Sequence, residues 1–305
     1  VQERQELVYY DRYAGELREE RIYGEKPLRW IYETPAGGLT LEAVVKRAWF
    51  SALYGRWADC GCSAGEVARF IERFGLDTGE FLDPPESFRS FNEFFYRRLK
   101  PGARPVAAGG EVACFPADGR HLYIADLDET QSIYAKGQRF DLAAFLGDAA
   151  LAARYAGGSA VLSRLCPTDY HRFHFPLGGL PGAPRPVRGA LYSVNPIALA
   201  RRLSYLWRNK RQITEIRGEA GCDYLYAEIG ATNVGGIVDT FEPGSPMEKG
   251  AEKGYFRFGG SMVAVLFPTG RFEPADDLRE RSAAGVELYA RCGDAMGRVR
   301  GRGAE

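Results

Sequence analysis

The stretch Tyr224-Leu225-Tyr226-Ala227-Glu228-Ile229-Gly230 sets residues 224, 226 and 228 against 225, 227 and 229. That period of two belongs to a β-strand, whose side chains alternate between faces. Similar short runs lie at 111–116, 121–126, 158–166, 188–194, 211–217, 234–241 and 255–268, separated by Gly and Pro. Only 141–147, 196–207 and 278–291 read as helical in this part of the chain. Many short strands with frequent turns predict a mostly antiparallel, barrel-like core spanning 106–305. Gly297 to Glu305 is rich in Gly and Arg and is expected to fray.

Residues 1–105 read as a helical region, giving an α+β chain of two parts. Thr40 is placed to cap a helix with the apolar stripe Leu41, Val44, Val45, Ala48 and Ala52. Its other side interleaves Lys46 and Arg47 with Phe50, Tyr54 and Trp57. Such a side suits a membrane surface, where rings sit at headgroup depth and cations meet anionic lipid; packing against neighbouring helices is the alternative. Ser63-Ala-Gly-Glu66 and Ser90-Phe-Asn-Glu93 read as capping boxes, and Gly75 as a helix stop. Lys100-Pro101-Gly102 ends the last helix, with Pro105 soon after.

The 305 residues are 45% apolar, with 40 Lys and Arg against 40 Asp and Glu. Zero net charge argues against a protein held on nucleic acid by bulk charge. The longest apolar run, around Met262 to Phe267, falls far short of the roughly 18–20 residues that span a bilayer. Val1 to Glu6 is charged, so no signal peptide is expected there. Cys60-Gly-Cys62 is the one close pair of cysteines, and a structural zinc site wants two such pairs; no metal is expected.

Three segments carry candidate chemistry. Asp118 stands in the turn Pro116-Ala-Asp118-Gly119. His171 and His174 lie in Asp169-Tyr170-His171-Arg172-Phe173-His174, suited to general-base work because imidazole titrates near neutrality. Ser261 follows Gly259-Gly260 and opens a β-run, so a constrained backbone presents its hydroxyl. Asp118, His174 and Ser261 are the parts of a nucleophile-activating triad.

Together these segments resemble the phosphatidylserine decarboxylase proenzyme family. The likeness includes Phe94-Phe95-Tyr-Arg97-Arg-Leu99-Lys100-Pro101 with Arg104-Pro105, the Asp118 turn and Lys136-Gly137. It continues through Cys166-Pro-Thr-Asp169-Tyr170-His171-Arg172-Phe-His174, Ser193-Val-Asn195-Pro196, Gly230-Ala-Thr-Asn-Val234-Gly235 and Lys249-Gly250 to Ser261. One departure is Met262, where the family usually carries a small hydroxyl residue after the serine.

The resemblance implies a zymogen that cuts itself between Gly260 and Ser261, giving a β chain of 1–260 and an α chain of 261–305. Asp118 would orient His174, and His174 would take the Ser261 proton as its oxygen attacks the Gly260 carbonyl. Ester formation, elimination and loss of ammonia would leave a pyruvoyl group from Ser261 as covalent cofactor. That ketone would decarboxylate phosphatidylserine to phosphatidylethanolamine through a Schiff base, with His171 the candidate proton donor. Which histidine serves which step stays open, since three residues apart either ring could reach Ser261. A diacyl substrate implies a peripheral protein on the cytoplasmic side of the cell membrane, and favours the membrane reading of the 40–57 helix. Acyl-chain preference is open, and so is assembly as a homo-oligomer. The rival readings are a non-cleaving Ser-His-Asp hydrolase, against which stands the lack of a Gly-x-Ser-x-Gly elbow, and an unprocessed β-rich binding module.

Overall fold

A computed structural model describes residues 7–128, 140–232, 236–259 and 261–301. Lys136-Gly137, Val234-Gly235 and Gly260 lie outside the described residues. The chain opens with strands β1 (Val8–Asp11) and β2 (Glu16–Glu19), then helices α1 (Glu25–Glu33), α2 (Pro35–Thr40), α3 (Ala48–Asp59), α4 (Gly65–Phe74) and α5 (Phe91–Phe95). Next come β3 (Val112–Cys114), β4 (Gly119–Ile124), α6 (Leu142–Leu146), α7 (Ala149–Tyr155) and β5 (Ser159–Leu165). They are followed by β6 (Arg172–His174), β7 (Gly179–Pro181), β8 (Arg185–Val187), α8 (Pro196–Arg201), α9 (Tyr205–Arg208), β9 (Arg211–Gly218) and β10 (Tyr224–Gly230). The last elements are β11 (Ile237–Asp239), β12 (Glu252–Phe256), β13 (Ser261–Phe267), β14 (Phe272–Pro274), α10 (Asp276–Ala283), β15 (Glu287–Ala290) and β16 (Ala295–Val299).

The α+β class and the mostly antiparallel pairing hold. The barrel does not. Ten strands form one open sheet in the order β2-β1-β15-β4-β5-β13-β10-β9-β7, with β8 also on β9, so its ends do not join. Two three-stranded sheets, β11-β12-β6 and β14-β16-β3, accompany it. The centre of the large sheet is apolar on both faces. Ile229, Met262, Ala264 and Leu266 pack on one side with Leu146, Leu199 and Leu206 from the helices. Tyr226, Val263, Val265 and Phe267 pack on the other with Phe173 and Phe256 from the smaller sheet.

The region 1–105 is not wholly helical. Residues 8–19 form a hairpin whose first strand pairs in parallel with β15, near the far end of the chain. Its register depends on a partner some 280 residues away, and Glu20, directly after it, is neutralised from β5: it receives Arg164 Nη1 at 2.9 Å and Nη2 at 2.5 Å. The same guanidinium donates to Glu287 through Nε at 3.0 Å. Both acids and Arg164 are buried, so the hairpin is locked to β5 and β15 by matched charge.

Other local expectations shift. Thr40 does not cap a helix; Thr34 does, accepting the Gly37 N–H at 3.0 Å, and the chain breaks at Lys46–Arg47 before α3 begins. Ser63 makes no capping box. It is buried, accepts the Phe91 N–H at 2.9 Å, and so ties α5 to the turn before α4. Ser90 does cap α5 through the Glu93 N–H at 3.2 Å, while Gly75 stops α4 with φ +64°. Residues 188–194 are no strand, 255–268 splits into β12 and β13, 287–290 is strand, and Ala295–Val299 pairs with β3 where fraying was expected. Helix α7 has no counterpart in the sequence reading.

Candidate active site

Ser261 is the first residue of the central strand β13. It stands opposite Leu165, the last residue of β5, and Gly230, the last of β10. Three strand ends therefore meet at one point. Gly259, two residues before, holds φ +139°, a conformation that side chains with a Cβ rarely adopt. Ser261 is fully buried and its Oγ has no hydrogen-bond partner. A buried hydroxyl without a partner is costly to keep and calls for an explanation. Met262 points to the opposite face, into the helix-side core. Its thioether fills core volume, and a hydroxyl there would sit on the other side of the sheet from Ser261 Oγ.

The segment before Ser261 is clamped to the helices. Asn92 accepts the Phe258 N–H at 2.8 Å and donates to Asp59 at 2.8 Å. The Phe258 ring is held by Tyr54 (centroids 5.4 Å apart, stacked), Phe95 (4.8 Å) and Phe91 (5.0 Å). The Phe256 N–H bonds the His171 carbonyl at 3.0 Å, which joins this segment to the histidine loop.

That loop leaves β5 at Cys166 and is fixed by Asp169. The Asp169 carboxylate accepts Arg120 Nη1 at 2.6 and 2.8 Å and the Cys166 N–H at 2.7 Å. The Asp169 carbonyl accepts from His171 Nδ1 at 3.0 Å. A carbonyl can only accept, so Nδ1 carries the proton and Nε2 keeps its lone pair. His171 is fully buried against Phe95, ring centroids 3.7 Å apart, and Nε2 has no partner. Burial drives its pKa down to about 3, against the pull of the Asp169 carbonyl.

His174 is placed differently. Its Nδ1 donates to the Gly250 carbonyl at 2.9 Å, so Nε2 accepts from the Tyr170 hydroxyl at 3.2 Å. Its pKa is lowered by burial, opposed first by the Gly250 carbonyl and then by Glu252 and Asp118. The Asp118 turn lies against it, the Pro116 carbonyl accepting the His174 N–H at 2.7 Å. The Asp118 carboxylate itself is buried and receives Arg104 Nε at 2.9 and 3.0 Å, Arg104 Nη2 at 2.6 Å and the Cys292 N–H at 2.8 Å. Asp118 and His174 are thus neighbours coupled by charge. Gly119 is dictated by space, since a Cβ there would lie 2.4 Å from the Arg164 carbonyl oxygen.

A cavity of about 550 Å³ opens beside this point. Its lining includes Leu165, Cys166, Thr168, Asn195, Phe258 and Gly259 near the strand ends, together with Tyr23, Leu28, Ile31, Tyr32, Phe50 and Tyr54. Phe50 and Tyr54 therefore face the cavity, not the outside. The exposed rings and chains of this region include Trp30, Leu39, Trp49, Leu53 and Trp57, with Leu39 75% and Trp49 54% exposed. Lys46 is paired with Glu42 and lies over the Tyr192 ring. Among the described residues no helix is long and apolar enough to cross a membrane, and no cluster of three or more His, Cys, Asp or Glu is placed to hold a metal ion.

The sequence reading missed Asn92, Tyr170 and Arg104 as site-building groups. Asn92 left one trace, an amide beside Glu93 among Phe91, Phe94 and Phe95.

The phosphatidylserine decarboxylase profile matches residues 91–297, which takes in Asp118, His171, His174 and Ser261. The chain belongs to the phosphatidylserine decarboxylase family. Proteins named phosphatidylserine decarboxylase proenzyme are similar over nearly the whole length. The one from Chlamydia muridarum is 40% identical over 97% of this chain and 98% of its own. Those from Clostridium beijerinckii and Fusobacterium nucleatum are 38% and 37% identical, covering 95% and 96% of this chain and 98% of each relative. Membership makes the chain a decarboxylase of phospholipid biosynthesis, made as a proenzyme.

Proposed function

We propose that the chain cuts itself between Gly260 and Ser261, converts Ser261 to a pyruvoyl group, and then decarboxylates phosphatidylserine to phosphatidylethanolamine. The observation that carries this reading is the buried, unpartnered Ser261 Oγ at the start of the central strand, beside an apolar cavity. The residues present fit the group: Leu165, Gly230 and Gly259 would surround it, and the unpartnered His171 Nε2 is a polar atom in want of a ligand. Its ketone supplies an electron sink for the bond to the leaving carboxylate.

The chain's own side chains move the protons. In self-cleavage Ser261 is the nucleophile and His174 takes its proton once the Tyr170 hydroxyl turns away from Nε2, with the Gly250 carbonyl orienting the ring and the Asp118 charge favouring the imidazolium. In turnover the substrate ammonium must lose a proton before its nitrogen can react. Bulk solvent takes that proton, since burial leaves the His171 imidazole too weak a base to hold it. His171 Nε2 instead delivers a proton to the carbon that loses carbon dioxide. A lipid substrate needs a site at the bilayer, and Trp30, Leu39, Trp49, Leu53 and Trp57 are exposed apolar side chains of α1, α2 and α3. We assign them to a peripheral contact with the cytoplasmic face of the cell membrane.

Gel electrophoresis and carbon dioxide release test the roles together. His174→Ala and Asp118→Asn should stay uncut, while His171→Ala should cut and fail to release carbon dioxide. A cut His174→Ala and an uncut His171→Ala would exchange the two roles.

A further inference from the structure

The cavity meets a pair of cations that the reaction sequence above does not use. Three guanidinium groups line it, from Arg21, Arg73 and Arg164. Arg164 is fully matched by Glu20 and Glu287 inside the fold. Arg21 and Arg73 are exposed, and neither has a carboxylate partner among the described residues. Lining the cavity while exposed, they stand at its opening.

Both are held there by fixed neighbours. Arg21 follows Glu20, whose side chain is anchored by Arg164. Arg73 lies in the last turn of α4, its guanidinium carbon 5.4 Å from the Phe74 ring centroid. Tyr23 joins the two segments, with ring centroids 5.7 Å from Phe70, 6.2 Å from Phe74 and 6.2 Å from Phe258. The last of these rings sits just ahead of Gly259 and Ser261. The rings of Phe74, Tyr23 and Phe258 thus lead in series from Arg73 to the residues just before Ser261, along apolar walls that strengthen a local charge interaction.

The phospholipid implied by the reading above has its amine and carboxylate at one end, a phosphodiester a few bonds away, and acyl chains beyond. With the amine at residue 261 and the chains along Leu28, Ile31 and Phe50, the phosphodiester lies in the cavity that Arg21 and Arg73 line. We propose that Arg21 and Arg73 clamp the phosphodiester of the reacting lipid and so select a phospholipid headgroup over free serine. Guanidinium suits this task because its fork of N–H donors matches phosphate oxygens. This inference rests on the decarboxylase reading.

The test is the double substitution Arg21→Gln with Arg73→Gln in the full self-cleaved enzyme. Assays use dispersed short-chain phosphatidylserine, and binding is measured on phosphatidylglycerol vesicles. The expected result is a KM raised about tenfold or more, with kcat within about twofold and vesicle binding retained. Glycerophosphoethanolamine should inhibit the wild type better than ethanolamine, and the variant should lose that difference. An unchanged KM would overturn the clamp. So would weaker vesicle binding with an unchanged KM on dispersed substrate, which would assign the two arginines to the anionic bilayer surface. A wild type that turns over no phosphatidylserine would instead sink the decarboxylase reading.

Discussion

Asn92→Ala should slow self-cleavage while leaving every reacting residue in place. Asn92 is buried and spans two contacts, accepting the Phe258 N–H and donating to Asp59, each at 2.8 Å. A hydrogen bond contributes about 1 kcal/mol net, and a buried donor left unpaired costs about 1–3 kcal/mol. Asp59 is exposed and finds water, so the main loss is the Phe258 N–H. The sum is about 2–4 kcal/mol of stability. Phe258 lies three residues before Ser261, and slack of about 1 Å at a reacting centre can cost on the order of a hundredfold in rate. A chase of freshly synthesised chain on denaturing gels should show cutting slowed at least about tenfold. Asn92→Asp keeps an oxygen for the Phe258 N–H, so it should cut near the normal rate although its carboxylate faces Asp59 and lowers the melting temperature. Asp59→Ala should do little to either. Cutting at the normal rate in a folded Asn92→Ala protein would refute the idea that this anchor positions the scissile segment.

Replacing Trp49, Leu53 and Trp57 together with Ser should weaken vesicle co-sedimentation at least about tenfold and leave self-cleavage intact, whereas Phe50→Ser and Tyr54→Ser should act on turnover through the cavity. Equal vesicle binding by the folded triple variant would move the docking surface elsewhere. Acid should destabilise the fold from near neutrality downward. Burial holds His121 and His171 at about 3 against an ordinary 6.5, so between these values the unfolded chain takes up protons that the folded chain refuses. Burial would raise the Glu20 carboxyl, but Arg164 outweighs it and holds it at about 2 against an ordinary 4.5; the stability Glu20 contributes above 4.5 is lost as pH falls toward 2. Denaturant midpoints at pH 7, 5 and 4 should therefore decline in order, and a flat series would contradict these assignments.

The strands were legible where alternation is local, as in Tyr224 to Gly230, and where Gly259 and Ser261 set up a constrained strand start. What escaped depended on partners distant in the chain. The hairpin at 8–19 takes its place from β15 and from Arg164, both far along the chain. Ser63 looked like a cap because Glu66 stands three residues on, yet the Phe91 N–H claims its hydroxyl. The aromatic side of α3 was read as one surface, although Phe50 and Tyr54 turn to the cavity and Trp49 and Leu53 face outward. A break at residues 46–47 re-aims that helix, and no periodicity carried across it could reveal this. Asp118, His171, His174 and Ser261 were all named from sequence. Their different hydrogen-bond states, with His171 Nε2 free and His174 Nε2 engaged by Tyr170, follow from folded loops.

Intact mass measurement of the purified protein under denaturing conditions tests the central claim. The account predicts two chains that meet at Gly260–Ser261, with the 261–305 chain lighter by one ammonia than a chain beginning with serine, and able to react with hydroxylamine at its first residue. The Ser261→Ala protein should give one chain of full length. A fully active wild type that shows a single uncut chain with Ser261 intact would contradict self-cleavage, the pyruvoyl group and the mechanism built on them.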